Sequence, residues 1–216
     1  MRLFLLLLMS GIGFFWYLNS DLHEVGARLP FDGTLLRFRI DPEKSRFIVH
    51  ANRTGLAWFK GKSHRIAVRD FSGEAELTLD AINPASLQMT VQAASLEETD
   101  PYFTDQQKAI INKELEEIVL ETEKYPEIIF KSTGVKGSIK NGAMDVKITG
   151  DLTLHGVTKK IEIPARVTIN GDGLRAQGEF KIDRGDFNVN ATSAFHGLVR
   201  VKRTLKFEFD IVGERS

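Results

Sequence analysis

Residues 150–182 read GDLTLHGVTKKIEIPARVTINGDGLRAQGEFKI, and this stretch decides the fold. Apolar residues occupy almost every second position, and most of the positions between them hold Thr, Lys, Glu, Arg or Gln. A period of two is typical of antiparallel strands that bury one face. The segments HG at 155–156 and NGDG at 170–173 interrupt the alternation with residues that tolerate a positive φ, so we predict a hairpin turn at each. The stretch therefore forms three consecutive strands with one apolar face.

The same alternation extends to both sides of this stretch. It predicts further strands at residues 36–40, 47–51, 75–79, 87–93, 128–130, 144–154 and 199–211. Residues 41–45, DPEKS, are predicted to turn the chain between the first two strands. Residues 55–71 mix aromatic, glycine and basic residues without alternation, so we predict an irregular segment across one end of the sheet. Asn141-Gly142 gives the strongest local hairpin signal.

One segment has the pattern of an amphipathic helix. Thr104, followed three residues later by Gln107, fits a capping box. Residues 105–123 then hold their apolar side chains on one side, and Pro126 is predicted to end the helix. A single helix is therefore inserted among the strands.

These elements predict an all-β domain of eight or more antiparallel strands with one inserted α-helix. Eight strands close into a barrel that is just wide enough to be filled by side chains or to enclose one small ligand, and closure removes exposed edges. A two-sheet sandwich is the rival architecture, because the same alternation is compatible with both.

Composition limits the classes of function. The 216 residues contain no linker that would divide them, which indicates one domain with an N-terminal appendage. Basic and acidic residues number 29 each, so no large electrostatic surface favours a nucleic-acid partner. The chain has no cysteine, which excludes disulfides, thiol catalysis and thiolate metal sites.

The N-terminus has the layout of an export signal. Arg2 precedes residues 3–18, which carry no charge and are rich in Leu and Phe. We divide the chain into a signal peptide or membrane anchor at 1–20, a spacer at 21–33 and a barrel domain at 34–214. Cleavage and anchoring both fit, since the apolar run is short for a bilayer span but includes four consecutive aromatic residues at 14–17. Either places the domain outside the cytoplasm: in the periplasm, secreted, or tethered to the outer face of the cytoplasmic membrane.

Five segments are distinctive: FKGKSHRI at 59–66, FSGEAELTLD at 71–80, YPEIIFKST at 125–133, GDLTLHGVTKKIEIP at 150–164 and RGDFNV at 184–189. In this order they resemble the YceI-like lipid-binding family of bacteria. The resemblance implies an extended, lipocalin-like antiparallel barrel around a long apolar tunnel that binds isoprenoid chains or other amphiphiles, usually in the periplasm. The N-terminal apolar segment departs from the simplest members and is a candidate membrane tether.

The apolar faces of the strands supply the candidate ligand-binding residues. We predict that the interior is lined by Phe47, Val49, Leu77, Leu79, Met89, Val91, Phe130, Met144, Val146, Ile148, Leu152, Ile161, Ile163, Val167, Ala176, Phe180, Leu205, Phe207 and Phe209. In a β-barrel without such a resemblance, these side chains more often fill a dry core. The resemblance favours instead a cavity for a lipid, in which each buried methylene would contribute about 0.8 kcal/mol.

Polar candidates for the mouth of such a cavity are His64 and Arg203. His64 lies in a segment that resembles the family, and Arg203 breaks the apolar register of the last strand. His155 is predicted to shape its turn and His50 to face solvent or the helix. The histidines lack metal-ligand spacing, no nucleophile motif is present, and we expect no metal or cofactor.

The leading hypothesis is therefore a binding protein, not an enzyme, that sequesters or transports one long-chain lipid, such as an isoprenoid quinone or a polyprenyl lipid. One alternative is a structural or interaction module with a solid core. The other is an enzyme that acts on such a lipid through His64 or His155.

Overall fold

The computed structural model describes residues 34–56, 59, 61–191, 193–194 and 199–216. The strands are β1 (Leu36–Ala51), β2 (Arg53–Thr54), β3 (His64–Val68), β4 (Phe71–Leu77), β5 (Ser86–Gln92), β6 (Leu96–Glu98), β7 (Glu127–Lys140), β8 (Ala143–Leu154), β9 (Val157–Asn170), β10 (Gly173–Asp183), β11 (Ser193–Ala194), β12 (Val199–Val201) and β13 (Thr204–Arg215). Helix α1 (Asp105–Glu114) continues into a π-helical turn, Leu115–Val119. None of the helices within these ranges is long and apolar enough to cross a bilayer. The predicted signal or anchor at 1–20 lies outside the described residues.

Eight antiparallel strands form a closed ring. The order is β1, β4, β5, β7, β8, β9, β10 and β13, and β13 pairs again with β1. Strand β3 pairs with β1 beyond the end of β4, and β6 pairs with β3 beyond the end of β5, so both extend the wall at one end of the barrel. The predicted barrel of about eight strands with one inserted helix is confirmed, and the sandwich alternative is wrong.

The predicted turn at 41–45 is wrong, because these residues form a bulge inside one long strand. Pairing with β13 runs from Asp41 opposite Val212 to Arg46 opposite Asp210, so four residues of β1 face a single residue of β13. The Asp41 carboxylate accepts the backbone N–H of Glu43 at 3.0 Å. The hydroxyl of Ser45, within the bulge, accepts the N–H of Val212 at 2.9 Å. These bonds replace the ladder hydrogen bonds that the bulge removes.

The prediction of an irregular segment from 55 to 71 is wrong for its second half. His64–Val68 form β3, which pairs with β1 on one side and with β6 on the other. Ile66, Ala67 and Val68 are all buried, so both faces of the strand are covered. A strand covered on both faces has no polar side chain at alternate positions, which is why the alternation fails. Residues 57, 58 and 60 lie outside the described part of the chain.

The helix begins where predicted and ends earlier. The Thr104 hydroxyl accepts the Gln107 N–H at 3.3 Å, and the Gln107 side chain accepts the Thr104 N–H at 3.0 Å, which confirms the capping box. The regular helix stops at Glu114, and after the π-helical turn Glu121 adopts a φ of 48°. The left-handed residue reverses the chain before Pro126 is reached. The predicted end at 123 is therefore wrong.

The predicted hairpin turns are confirmed. Asn141 and Gly142 between β7 and β8 have φ values of 51° and 75°. His155 and Gly156 between β8 and β9 have φ values of 52° and 73°, and Gly171 between β9 and β10 has a φ of 59°. These conformations match the twist of the flanking strands and fix their register.

Gly150 on β8 allows a close approach that a larger residue would block. A Cβ at this position would collide with the ring of Phe130 and the carbonyl oxygen of Lys131. We expect Gly150→Ala to lower the free energy of unfolding by about 1–3 kcal/mol, because the neighbouring strand must shift. Urea denaturation measures this loss.

The matched control is Gly134→Ala on the adjacent strand β7. A Cβ there would meet no atom within 4 Å, so the change in unfolding free energy should stay within about 1 kcal/mol. Equal losses in the two variants would contradict the close packing of β7 and β8 at Gly150.

An ion pair on the outer surface makes stability depend on pH. Arg175 on β10 donates to both oxygens of Asp210 on β13, at 2.7 and 2.6 Å, and Gln177 donates to the same carboxylate at 3.0 Å. The Arg175 hydrogen bonds hold the pKa of Asp210 below its ordinary value, against the opposing effect of burial. A carboxyl group with a depressed folded-state pKa stabilises the fold above its unfolded pKa, and this contribution is lost as the pH falls through the folded pKa.

Asp210→Asn is therefore expected to destabilise the protein at pH 7 by up to about 1 kcal/mol, the usual size for an ion pair at the surface. The difference from wild type should shrink as the pH falls through the folded-state pKa of Asp210, because the carboxyl group then becomes protonated. Urea denaturation at pH 7 and at a series of lower pH values measures it. Asp172→Asn in an exposed turn should show little effect at any of these pH values, and a pH-independent loss for Asp210→Asn would contradict the ion-pair contribution.

Candidate functional site

The barrel interior contains a cavity of about 300 Å³. This volume lies at the lower end of the ~300–1,000 Å³ that is usual for small-molecule sites. Its wall is formed by inward-facing aliphatic and aromatic side chains from the ring strands and from the helix. The interior is therefore not a solid core.

The structure places all but one of the predicted interior side chains in the cavity wall. The exception is Leu79, which is 51% exposed and lies beyond the end of β4 at Leu77. Thr78 is buried instead, and its hydroxyl donates to the carbonyl oxygen of Ala81 at 2.9 Å. The strand alternation ends at Leu77, so extending it to Leu79 was wrong.

Several lining residues were missed by the sequence analysis. Phe38 and Ile40 on β1 belong to a strand that the alternation predicted, so the signal was present. Ile66 on β3 had no such signal, because its strand is covered on both faces. Leu115 and Val119 line the cavity from the π-helical turn, and the apolar side of the helix was their signal. The helix is therefore part of the cavity wall.

A layer of phenylalanine rings crosses the cavity wall. Phe180 and Phe207 stack with ring centroids 4.7 Å apart and planes inclined by 11°. Phe47 packs against Phe207 at 6.1 Å, and Phe209 packs against Phe180 at 6.3 Å. These residues come from β1, β10 and β13, which are hydrogen-bonded neighbours in the ring. The layer gives this side of the cavity flat, apolar surfaces.

His64 lies in the cavity wall at the helix end of the barrel. Its Nδ1 contacts Oε2 of Glu98 at 2.8 Å, and its ring stacks on Phe103 with centroids 5.2 Å apart. The Glu98 side chain is fully buried, and Oε1 also accepts the backbone N–H groups of Arg65 at 3.2 Å and Asp100 at 2.7 Å. The carboxylate thereby fixes the imidazole, which leaves Nε2 as the remaining polar atom of the ring.

Arg203 does not line the cavity. Its side chain is 66% exposed, and Nε donates to both carboxylate oxygens of Asp183 at 3.1 Å. The N–H of Gly185 and then Arg203 hold the pKa of Asp183 below its ordinary value. Arg203 precedes the first residue of β13, Thr204, so the strand register does not direct it inward. Arg203 therefore pairs with an acid outside the cavity wall, and Arg184 lines the cavity instead.

His155 and His50 lie outside the cavity wall. His155 has the positive φ of its turn, Nε2 contacts the Glu121 carboxylate at 2.6 Å, and Nδ1 is buried without a hydrogen-bond partner in the described ranges. His50 lies 3.4 Å from the carboxylate of Glu208. Within the described residues, no group of three or more His, Cys, Asp or Glu side chains is arranged to hold a metal ion.

Comparison with known proteins identifies the family. A family model described as the YceI-like domain matches residues 38–213, which include the ring strands except the first two residues of β1 and the last two of β13. The chain belongs to the YceI-like family. The resemblance inferred from the five sequence segments is thereby confirmed.

Relatives within the YceI-like family are similar over most of their length. Protein YceI of Escherichia coli O6:H1 is 32% identical over 164 residues, which cover 70% of this chain and 75% of that protein. UPF0312 protein Ent638_1570 of Enterobacter sp. is 31% identical over 184 residues, which cover 80% of this chain and 83% of that protein.

Two solved structures have the same fold. BcnA of Burkholderia cenocepacia superposes with a TM-score of 0.60 at 20% identity, covering 80% of this chain and 98% of that one. A polyisoprenoid-binding domain from Saccharophagus degradans gives a TM-score of 0.61 at 15% identity, covering 84% and 99%. At this level of identity the likeness establishes the YceI-like barrel and no more.

The buried carboxylate of Glu98 is expected to be important for stability at the helix end of this YceI-like barrel. Glu98→Ala leaves the N–H groups of Arg65 and Asp100 and the ring of His64 without their acceptor. We expect a loss of about 3–5 kcal/mol in unfolding free energy, measured by urea denaturation.

Glu97→Ala is the matched control on the same strand. Glu97 is exposed and pairs with exposed Arg69 at 2.9 Å, so its loss should cost less than about 1 kcal/mol. A Glu98 variant as stable as the Glu97 variant would contradict a structural role for the buried carboxylate.

Proposed function

We propose that this YceI-like protein binds one long-chain apolar or amphiphilic lipid inside the barrel, with an isoprenoid quinone or polyprenyl lipid as the leading class. The observation that supports this proposal most directly is a cavity in a closed barrel whose wall is almost entirely hydrocarbon. A packed core of the same side chains would leave no such space.

The apolar wall supplies enough free energy without directional contacts. Each methylene moved from water into the cavity contributes about 0.8 kcal/mol, so ten contribute roughly 8 kcal/mol before the costs of association and chain ordering. Selection among lipids then depends on the length and cross-section of the chain. The stacked rings of Phe180 and Phe207 favour a flat or unsaturated guest over a bulky one.

The comparisons support the same class of ligand. The Saccharophagus degradans protein with the same fold is described as a polyisoprenoid-binding domain. Binding rather than catalysis is the simpler role for this cavity. His155, one of the two histidines considered for catalysis, lies outside its wall, and His64 is hydrogen-bonded to the buried Glu98. The cavity also argues against the alternative of an interaction module with a solid core.

The proposal includes a location and a role in lipid handling. Residues 3–18 would export the domain and, if retained, tether it to the outer face of the cytoplasmic membrane. The barrel would then sequester or carry its lipid outside the cytoplasm. No nucleic-acid partner is proposed, since the charges balance.

Organic extraction of the purified protein followed by mass spectrometry tests the proposal. We expect a lipid with a long hydrocarbon chain at close to one molecule per protein. Preparations that are repeatedly empty and that take up no farnesol, hexadecanol or ubiquinone in vitro would refute it.

Val146→Trp is expected to narrow the cavity and weaken binding. Val146 lies on β8 in the cavity wall, and an indole there would displace at least two methylenes of a guest. A loss of roughly 1.6 kcal/mol or more corresponds to binding that is weaker by more than about tenfold. Lipid per protein after extraction and the affinity for hexadecanol both measure this change.

Thr168→Trp on the outer face of the neighbouring strand β9 is the control. It adds the same ring where no guest can lie and should leave lipid content unchanged. Equal losses in both variants, or no loss in Val146→Trp, would contradict binding in the barrel interior.

A further inference from the structure

Arg184 is a cation in a wall that is otherwise almost entirely apolar. It begins the short 3-10 turn Arg184–Phe187 that follows β10, and it lines the cavity while remaining half-buried. The turn is held by Asp183, whose carboxylate accepts the Gly185 N–H at 2.8 Å, and by Asn188, whose φ is 57°. This backbone geometry places Arg184 at the end of the barrel where β10 ends.

The guanidinium of Arg184 is positioned by carbonyl oxygens. Nη1 donates to the carbonyl of Val189 at 2.7 Å, Nε to that of Lys202 at 3.3 Å and Nη2 to that of Val201 at 3.4 Å. A guanidinium has five N–H donors, so one N–H on each Nη remains available. Among the described residues no carboxylate forms an ion pair with Arg184. The charge of Arg184 contributes to lowering the pKa of the neighbouring Asp183, but the hydrogen bonds of that carboxylate are to Arg203 and to the N–H of Gly185.

Two other ionisable groups of the cavity wall have ion-pair partners. His64 has Glu98 as its partner, and Glu76 pairs with Arg37 at 2.7 Å at the opposite end of the barrel. Glu114 on α1 is half-buried in the wall and, like Arg184, has no ion-pair partner in the described ranges. Arg184 is therefore a rigidly held cation beside an apolar cavity, and its neighbouring carboxylate, Asp183, is hydrogen-bonded to Arg203.

Arg184 and His64 lie on the same rim. The carbonyl oxygen of Lys202 accepts a hydrogen bond from Arg184, and the N–H of Lys202 donates to the carbonyl oxygen of Asn52 at 2.7 Å. Ala51, adjacent to Asn52, pairs with His64 across β1 and β3. This chain of hydrogen bonds runs around the helix end of the barrel. A ligand whose tail fills the cavity would bring its head group to this rim.

We propose that the guest is an anionic amphiphile whose carboxylate or phosphate head group binds Arg184 while its tail occupies the apolar cavity. This inference rests on the proposed function and narrows it to lipids with an acidic head group. A half-buried cation that shares its neighbouring carboxylate with a second cation, Arg203, is incompletely compensated, and an anionic oxygen that accepts the remaining N–H groups adds to its stabilisation. A guanidinium fixed in advance by carbonyl oxygens loses little further freedom when it binds.

Matched pairs of probes test the proposal with the full chain. Hexadecanoic acid is compared with hexadecanol, and farnesyl phosphate with farnesol, at pH 8 and below their micelle-forming concentrations. Displacement of a fluorescent lipid gives the affinities. We expect the anionic member of at least one pair to bind about tenfold or more tightly, as for a charge-assisted hydrogen bond. The pair that shows the preference distinguishes a carboxylate from a phosphate head group.

Three variants locate the preference. Arg184→Gln should reduce the ratio of affinities within the preferred pair to about one, and Arg184→Lys, which keeps the charge, should retain part of it. Glu114→Gln should raise the affinity for the anion because it removes a like charge from the wall. Arg69→Gln, which removes an exposed cation that pairs with Glu97 outside the cavity wall, should leave the ratio unchanged.

The ratio of affinities for the anionic and neutral probes in the wild-type protein tests the head-group proposal even if an Arg184 variant fails to fold. A ratio near one or in favour of the alcohol in both pairs overturns the head-group proposal and leaves lipid binding in place. A preference that survives Arg184→Gln in folded protein also overturns it. Binding of neither member of either pair refutes the proposed function itself.

Discussion

The pairing of β1 with β13 joins the first strand of the ring to the last. Because the ring is closed, every strand has hydrogen-bonded neighbours on both sides, and the inward side chains of all eight strands point at one common axis. Strand number sets the width of that interior. The side chains that point into this interior are mostly apolar and do not fill it, which leaves the cavity of about 300 Å³.

The ends of the barrel are built differently from its middle. In the middle the wall is a continuous ladder of strands, with the phenylalanine layer on one side. At one end the wall is extended by β3 and β6, by the helix and by the turn that begins at Arg184. Polar contacts concentrate there: the Asn112 side chain of the helix accepts the N–H of Glu98, whose carboxylate binds His64. The proposed contact between Arg184 and a head group therefore lies at the helix end.

Much of the fold and most of the cavity wall could be predicted from the sequence, because both depend on a period of two. Residues such as Val146, Ile163 and Val167 alternate with exposed neighbours, so their inward direction follows from the strand itself. Strand β3 was missed because burial of Ala67 as well as Ile66 removes the alternation. The bulge after Asp41 was mistaken for a turn because only the partner strand determines that pairing resumes at Arg46. Arg184 enters the wall from a 3-10 turn, whose position no sequence period predicts. Arg203 was assigned to the last strand by extending its alternation, but that strand begins at Thr204.

The incompletely filled interior links occupancy to stability by mass action. The side chains around the void lack contacts on one side, so the unoccupied fold forgoes dispersion energy that a complete core would have. Any molecule that binds in the void and does not bind the unfolded chain raises the free energy of unfolding by RT ln(1 + [L]/Kd). A guest of this barrel thus acts as a removable portion of its hydrophobic core, and the resistance of the protein to heat or proteolysis becomes a direct readout of how much of it is loaded.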